Sequence, residues 1–157
     1  MVQGHIYIFG VHMKINPIVL VCAASLAFVS PTYGETIKLK ADLKPSNEVP
    51  PNDSKASGSV ALTYNDATKT LTWKGTYSDL TGQPTAAHFH GPAPAGKNAS
   101  ILIPIFVAGT AKSPDSPFEG SVVLTDEQAG YLTSGRLYVN IHTPTNKAGE
   151  LRGQVVR

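Results

Sequence analysis

The stretch "GSVALTYNDATKTLTWKGTYSDL", residues 58–80, decides the fold. In both of its halves apolar residues alternate with polar ones, as Val60, Leu62 and Tyr64 do in the first half. An apolar residue at every second position is typical of a strand with one buried face. Between the halves, "NDATK" supplies turn-forming residues. The stretch therefore predicts an antiparallel hairpin of two half-buried strands, running from residue 58 to about residue 79.

Strand composition recurs along the rest of the chain, with one interruption. Further strands are predicted at 36–43, 85–90, 101–106, 118–124, 136–143 and 150–156. In "TDEQAGYLTSG" we expect Thr125 to be an N-cap, Gln128 its capping-box partner and Gly135 the stop of a short helix. Seven or eight short strands with one small helix favour an all-β fold. The prediction is a single antiparallel β-sandwich of a Greek-key type, immunoglobulin-like or superoxide-dismutase-like.

Residues 1–34 have the character of a secretory signal. Lys14 precedes an apolar stretch at 15–29, and small residues follow it. That stretch is shorter than the about 20 apolar residues of a membrane span. We expect cleavage after residue 34, with Met13 as an alternative start of the chain. One domain at 35–157 then remains, without a membrane span, in the periplasm or secreted.

The composition of this predicted domain excludes several classes of site. The one cysteine and both methionines of the chain lie in the signal segment, so the domain has no sulfur. Cysteine nucleophiles, iron–sulfur clusters and cysteine-plus-methionine copper sites are therefore excluded. Lys14 is the only charged residue lost from 13 basic and 11 acidic ones, which leaves a net charge near +1. Without a basic tract, nothing indicates a nucleic-acid partner.

Histidines are the most informative residues, because the predicted domain keeps only His88, His90 and His142. The first two stand one residue apart in a predicted strand, so both side chains project from the same face. His142 lies on the polar face of "RLYVNIHT". If these strands pair, three imidazoles can share one ion. An ordinary structural use of half-exposed strand histidines remains the alternative.

The available donor atoms narrow the identity of the metal ion. Histidine supported only by oxygen donors suits Cu(II), Zn(II) or Ni(II) and disfavours Cu(I). Copper is our first choice and zinc the alternative. Three histidines do not by themselves make an enzyme, and the chain has no G-x-S-x-G elbow. We expect a binding protein rather than an enzyme and assign no catalytic residue.

Charged residues form a second group: Glu48 in "NEVPP", with Glu150 and Arg152 in "GELRGQ". A carboxylate and the guanidinium are predicted to pair bidentately and to lock a loop to the sandwich. The alternative is that a carboxylate supports a histidine N–H, as metal ligands require. Asn140, on the polar face with His142, belongs to the same second-shell or structural group.

Four motifs in order carry a family likeness: "NEVPP", "AAHFHGPAPAG", "LYVNIHT" and "GELRGQV". With the hairpin between them, they resemble the CHRD domain, named from chordin, over roughly residues 37–157. A looser similarity joins the H-x-H pair and the later strand histidine to the copper site of Cu/Zn superoxide dismutase. It implies copper ligation by His88, His90 and His142. The chain departs from that family in lacking its bridging histidine, zinc ligands and disulfide.

Three functional hypotheses follow. The first is an exported protein that binds a divalent metal for storage, delivery or redox. The second is a metal-free interaction or adhesion module of the cell envelope, with an unidentified envelope protein as its partner. The third is a weak copper oxidoreductase with superoxide-dismutase-like activity.

Overall fold

Two four-stranded antiparallel sheets build the protein, in a computed structural model that describes residues 34–107, 109 and 115–157 together with Gly4 and Gly10. The strands are β1 Thr36–Leu43, β2 Ser57–Asn65, β3 Thr70–Ser78, β4 Ala86–His90, β5 Ile101–Val107, β6 Phe118–Val123, β7 Tyr138–His142 and β8 Leu151–Gln154. One sheet has the order β1-β2-β3-β6 and the other β5-β4-β7-β8. The predicted all-β antiparallel sandwich is confirmed.

The predicted hairpin is β2 and β3, which pair in register from Ser57 opposite Ser78 to Asn65 opposite Thr70. Its alternating apolar residues are buried, as expected of strands with one face on a core. The predicted signal segment lies outside the described residues apart from three glycines, and it stays a prediction. In the part of the chain that the structure describes, no helix has the length and apolarity needed to cross a membrane.

The predicted helix is α1, Asp126–Thr133, and its capping box is present. The Thr125 hydroxyl accepts from the Gln128 N–H at 3.2 Å, and the Thr125 N–H donates to Gln128 Oε1 at 3.0 Å. Gly135 follows at a φ of 68°, in the left-handed region that favours glycine after a helix. Together these features confirm both predicted ends of the helix.

The core lies between the sheets and fixes which way β4 faces. Phe89 is completely buried and meets Trp73 of the other sheet edge-on, with ring centroids 5.2 Å apart. The chain crosses from one sheet to the other after β5, so that β6 lies beside β3, and crosses back after β6, so that β7 lies beside β4. Such crossing connections are of the Greek-key type. Because neighbouring side chains of a strand point to opposite faces, the histidines that flank Phe89 project away from the core.

The carboxylate of Glu150 fastens three loops to one another just before β8. Oε1 accepts hydrogen bonds from Ser54 Oγ at 2.6 Å and from the Thr81 N–H at 2.9 Å. Oε2 accepts from the hydroxyls of Thr81 at 2.7 Å and Thr143 at 2.6 Å. Burial raises the pKa of Glu150, but these four bonds outweigh it and hold the pKa at about 2. Glu150 is therefore an ionised, structural carboxylate.

Replacing Glu150 by Gln should remove an acid-sensitive part of the stability. Because the folded-state pKa lies below the ordinary 4.5, the contribution is present above pH 4.5 and is lost as the pH falls toward 2. This contribution to the free energy of unfolding is on the order of 3 kcal/mol. Urea unfolding of the wild type and Glu150→Gln at pH 7, 4.5 and 2.5 measures it. The exposed Glu119→Gln is the matched control, and equal acid sensitivity in all three proteins would contradict the assignment.

Candidate metal centre

Three histidines meet on the outer face of the second sheet, because β4 and β7 pair directly. The register places His88 opposite Asn140 and Ala86 opposite His142, so His142 is the diagonal neighbour of His88. His90 follows two residues along β4 on the same face. The expected convergence of the three imidazoles is confirmed.

One ligand nitrogen from each ring lies within 4.8 Å of the other two. The ring centroids of His88 lie 5.6 Å from His90 and 5.1 Å from His142. A tetrahedral ion with bonds of 2.0–2.1 Å separates its ligands by roughly 3.4 Å, so small side-chain rotations suffice to close on one ion. The geometry therefore fits a three-nitrogen metal centre.

Backbone carbonyls orient two of the rings. His90 Nδ1 lies 3.0 Å from the Ala99 oxygen, and His142 Nδ1 lies 3.0 Å from the Lys147 oxygen. A carbonyl can only accept, so both Nδ1 atoms carry the proton and both Nε2 atoms offer a lone pair. An outer N–H held in this way is a regular feature of metal-ligating histidines.

Two of the remaining ring nitrogens face one another, and a third has no partner. His88 Nδ1 lies 3.1 Å from His142 Nε2 and donates to it, since the His142 proton is on the other nitrogen. His90 Nε2 is buried and has no hydrogen-bond partner. A buried acceptor without a partner is costly and commonly marks a site for a water or an ion.

Burial keeps all three rings neutral. It lowers the pKa of His88 to about 4, with smaller effects from the neighbouring His142 and His90. Burial also lowers the pKa of His90, against its bond to Ala99, and that of His142, against its bond to Lys147. Neutral imidazole is the form that binds metal, so protons compete little at neutral pH.

Tyr138, which was not among the predicted site residues, supports His90. Its ring stacks on the imidazole with centroids 4.9 Å apart and an interplanar angle of 6°. Its hydroxyl contacts Ala99, the residue whose carbonyl holds His90. Tyr138 and Asn140 stand two residues apart on the polar face of β7, and this spacing is a sequence signal that could have identified Tyr138. The two orienting carbonyls have no sequence signal, because any residue supplies one.

The predicted bidentate pair of Arg152 with a carboxylate is wrong. Among the described residues, the Arg152 guanidinium donates to Asn98 Oδ1 at 2.8 Å and to the Lys97 carbonyl. Its guanidinium lies 3.6 Å above the Tyr138 ring, in a cation–π contact. The loop before β5 offers these acceptors at the outer face, while Glu48 is engaged elsewhere. Arg152 thus anchors the same loop that orients His90.

Glu48 reaches Asn140 rather than a histidine. Its Oε1 accepts from Asn140 Nδ2, and burial raises the Glu48 pKa to about 7, although Arg152 and this bond lower it. Glu150 is tied to its loops, so neither carboxylate bonds a histidine N–H. Gly149 permits the Glu48 contact, because a Cβ there would lie 2.2 Å from Asn140 Nδ2.

The comparison with known families supports the likeness in the sequence motifs. A family model, the CHRD domain, matches residues 39–155, which include every strand from the second half of β1 to β8 and all three histidines. No curated protein and no solved structure matches the chain. From the match over most of its length, the chain belongs to the CHRD domain family.

Proposed function

We propose that this CHRD-domain protein binds one divalent metal ion, copper(II) before zinc(II), through His88, His90 and His142. The observation that carries the proposal is the meeting of three neutral imidazoles within 4.8 Å on one face of a sheet. Carbonyls already orient two of the rings and leave their Nε2 atoms unprotonated. The lone pair of His90 Nε2 has no partner, and that of His142 Nε2 would exchange its hydrogen bond from His88 for the metal. Preorganisation of this kind lowers the cost of binding.

The choice of copper rests on ligand chemistry. Imidazole nitrogens suit Cu(II) and Zn(II), and for a given nitrogen site Cu(II) binds more tightly than its first-row neighbours. The predicted domain offers no thiolate or thioether that would favour Cu(I). Zn(II) accepts the same three ligands and is the alternative.

The role that we propose is export followed by metal storage, delivery or redox in the periplasm or outside the cell. The signal character of residues 1–34 supports export. His88 and His90 are each 8% exposed, so a bound ion would be shielded from bulk solvent and from competing chelators. This shielding favours retention of the ion and therefore a binding role before an enzymatic one.

Titration with Cu(II) and Zn(II) by calorimetry tests the site. We expect one equivalent in the wild type and an affinity lower by more than about 100-fold in His88→Ala/His90→Ala and in His142→Ala. Loss of a ligand should exceed the roughly 10–100-fold effect of losing an outer partner.

Thr63→Ala/Thr72→Ala, on the outer face of the other sheet, is the matched control and should bind as the wild type does. Equal, weak binding by the wild type and the histidine variants would refute the proposal. The metal content of protein isolated from its own host then decides between copper and zinc.

Acid should release the metal at a lower pH than it does from exposed histidines. Because burial lowers all three pKa values, the apparent affinity should change little from pH 8 to 6.5 and decline below, where the rings begin to bind protons. Competition titrations at pH 8, 7, 6 and 5 measure this profile. A peptide of residues 85–96 is the unfolded reference, since its histidines titrate near 6.5. Coinciding profiles would show that burial does not protect the site.

A further inference from the structure

Asn140 lies at the centre of the polar outer face of its sheet. Its strand neighbours are His88 on β4 and Arg152 on β8. The residue is only 2% exposed. Its Nδ2 donates to Glu48, whereas its Oδ1 is buried and has no hydrogen-bond partner. Asn140 therefore presents one satisfied donor group and one unsatisfied acceptor.

The orientation of this amide is fixed by its partner. Above its pKa of about 7 the Glu48 carboxylate is ionised and can only accept, so at pH 8 the amide nitrogen faces Glu48 and the oxygen points elsewhere. Gly149 closes over this contact, since a Cβ there would lie 2.5 Å from Glu48 Oε1. Flipping the amide would place two acceptors against each other. The free atom is therefore an oxygen acceptor and not a nitrogen donor.

A second acceptor without a partner lies on the same face. His90 Nε2 is buried and unbonded on β4, the strand that pairs with the strand of Asn140. A metal ion satisfies an imidazole lone pair, but an amide oxygen that does not ligate needs an N–H or O–H donor. A water molecule bound to the metal would meet both needs, because its oxygen lone pair binds the ion and its O–H group donates a hydrogen bond to the amide oxygen.

We infer that Asn140 Oδ1 determines which ligand takes the open position on the metal, by accepting a hydrogen bond from an O–H group bound there. The inference rests on the proposed metal site at His88, His90 and His142. Water and other ligands with an O–H group are selected. Aprotic anions such as azide are disfavoured, because they leave Oδ1 buried and unsatisfied. Asn140 is a specificity-determining residue that supports the ligand and does not bind the metal.

Azide titrations of the copper-loaded protein test the inference at pH 8, above the pKa of about 7 that burial gives Glu48. Azide binding is followed by its charge-transfer absorption, and electron paramagnetic resonance reports the nitrogen ligands. Asn140→Leu, which lacks the acceptor, should bind azide about tenfold more tightly than the wild type, since no buried acceptor is stranded. Asn140→Ala should also bind azide more tightly than the wild type.

Asn140→Asp keeps an acceptor and should bind azide no more tightly than the wild type. Thr63→Val on the other sheet should match the wild type. Unchanged azide affinity in the Leu and Ala variants, or an equal rise in the Asp variant, overturns the inference while copper still binds. A changed number of nitrogen or oxygen ligands would make Asn140 a ligand and also overturns it. Absence of copper binding by the wild type would instead refute the proposed function.

Discussion

The antiparallel pairing of β4 with β7 is the constraint on which the site depends. It joins strands whose histidines are 54 residues apart in sequence, and it sets which side chains lie opposite each other. Phe89 and Val139, paired in the same register, are both completely buried in the core. A slip of one residue would turn these apolar side chains out and the histidines in. Core burial therefore enforces the register that brings the imidazoles together.

Loops lie over the outer face of this sheet, and its polar residues His88, His90, Asn140 and Arg152 are buried. Burial raises the pKa of both Glu48 and Glu150, but the net shifts of the two carboxylates are opposite. Glu150 receives four hydrogen bonds and keeps a pKa of about 2, whereas Glu48 has weaker support and its pKa rises to about 7. Hydrogen-bond donors around a buried carboxylate can therefore outweigh the cost of burying its charge.

Much of the fold and part of the site could be predicted from local patterns. Alternation located the hairpin, the capping box located α1, and the spacing of His88 and His90 placed both rings on one face. Arg152 was misassigned, because alternation gives the face of a side chain but not the loop that folds over it. The carbonyls that orient the rings depend on loop paths, which no side-chain pattern encodes.

The hydrogen bonds of the ligand rings have a further consequence. The carbonyl that orients His90 comes from nine residues along the chain, and the one that orients His142 from five residues along. Each orienting carbonyl thus comes from the loop that follows a ligand strand, and the pairing of β4 with β7 brings both loops to one face. The ligand rings and their orienting carbonyls therefore lie within the segments 88–99 and 138–147, and Arg152 of β8 anchors the first of these segments. The turn between β2 and β3 lies in the other sheet and supplies none of these ligands or carbonyls, so the site places no direct constraint on the length of that turn.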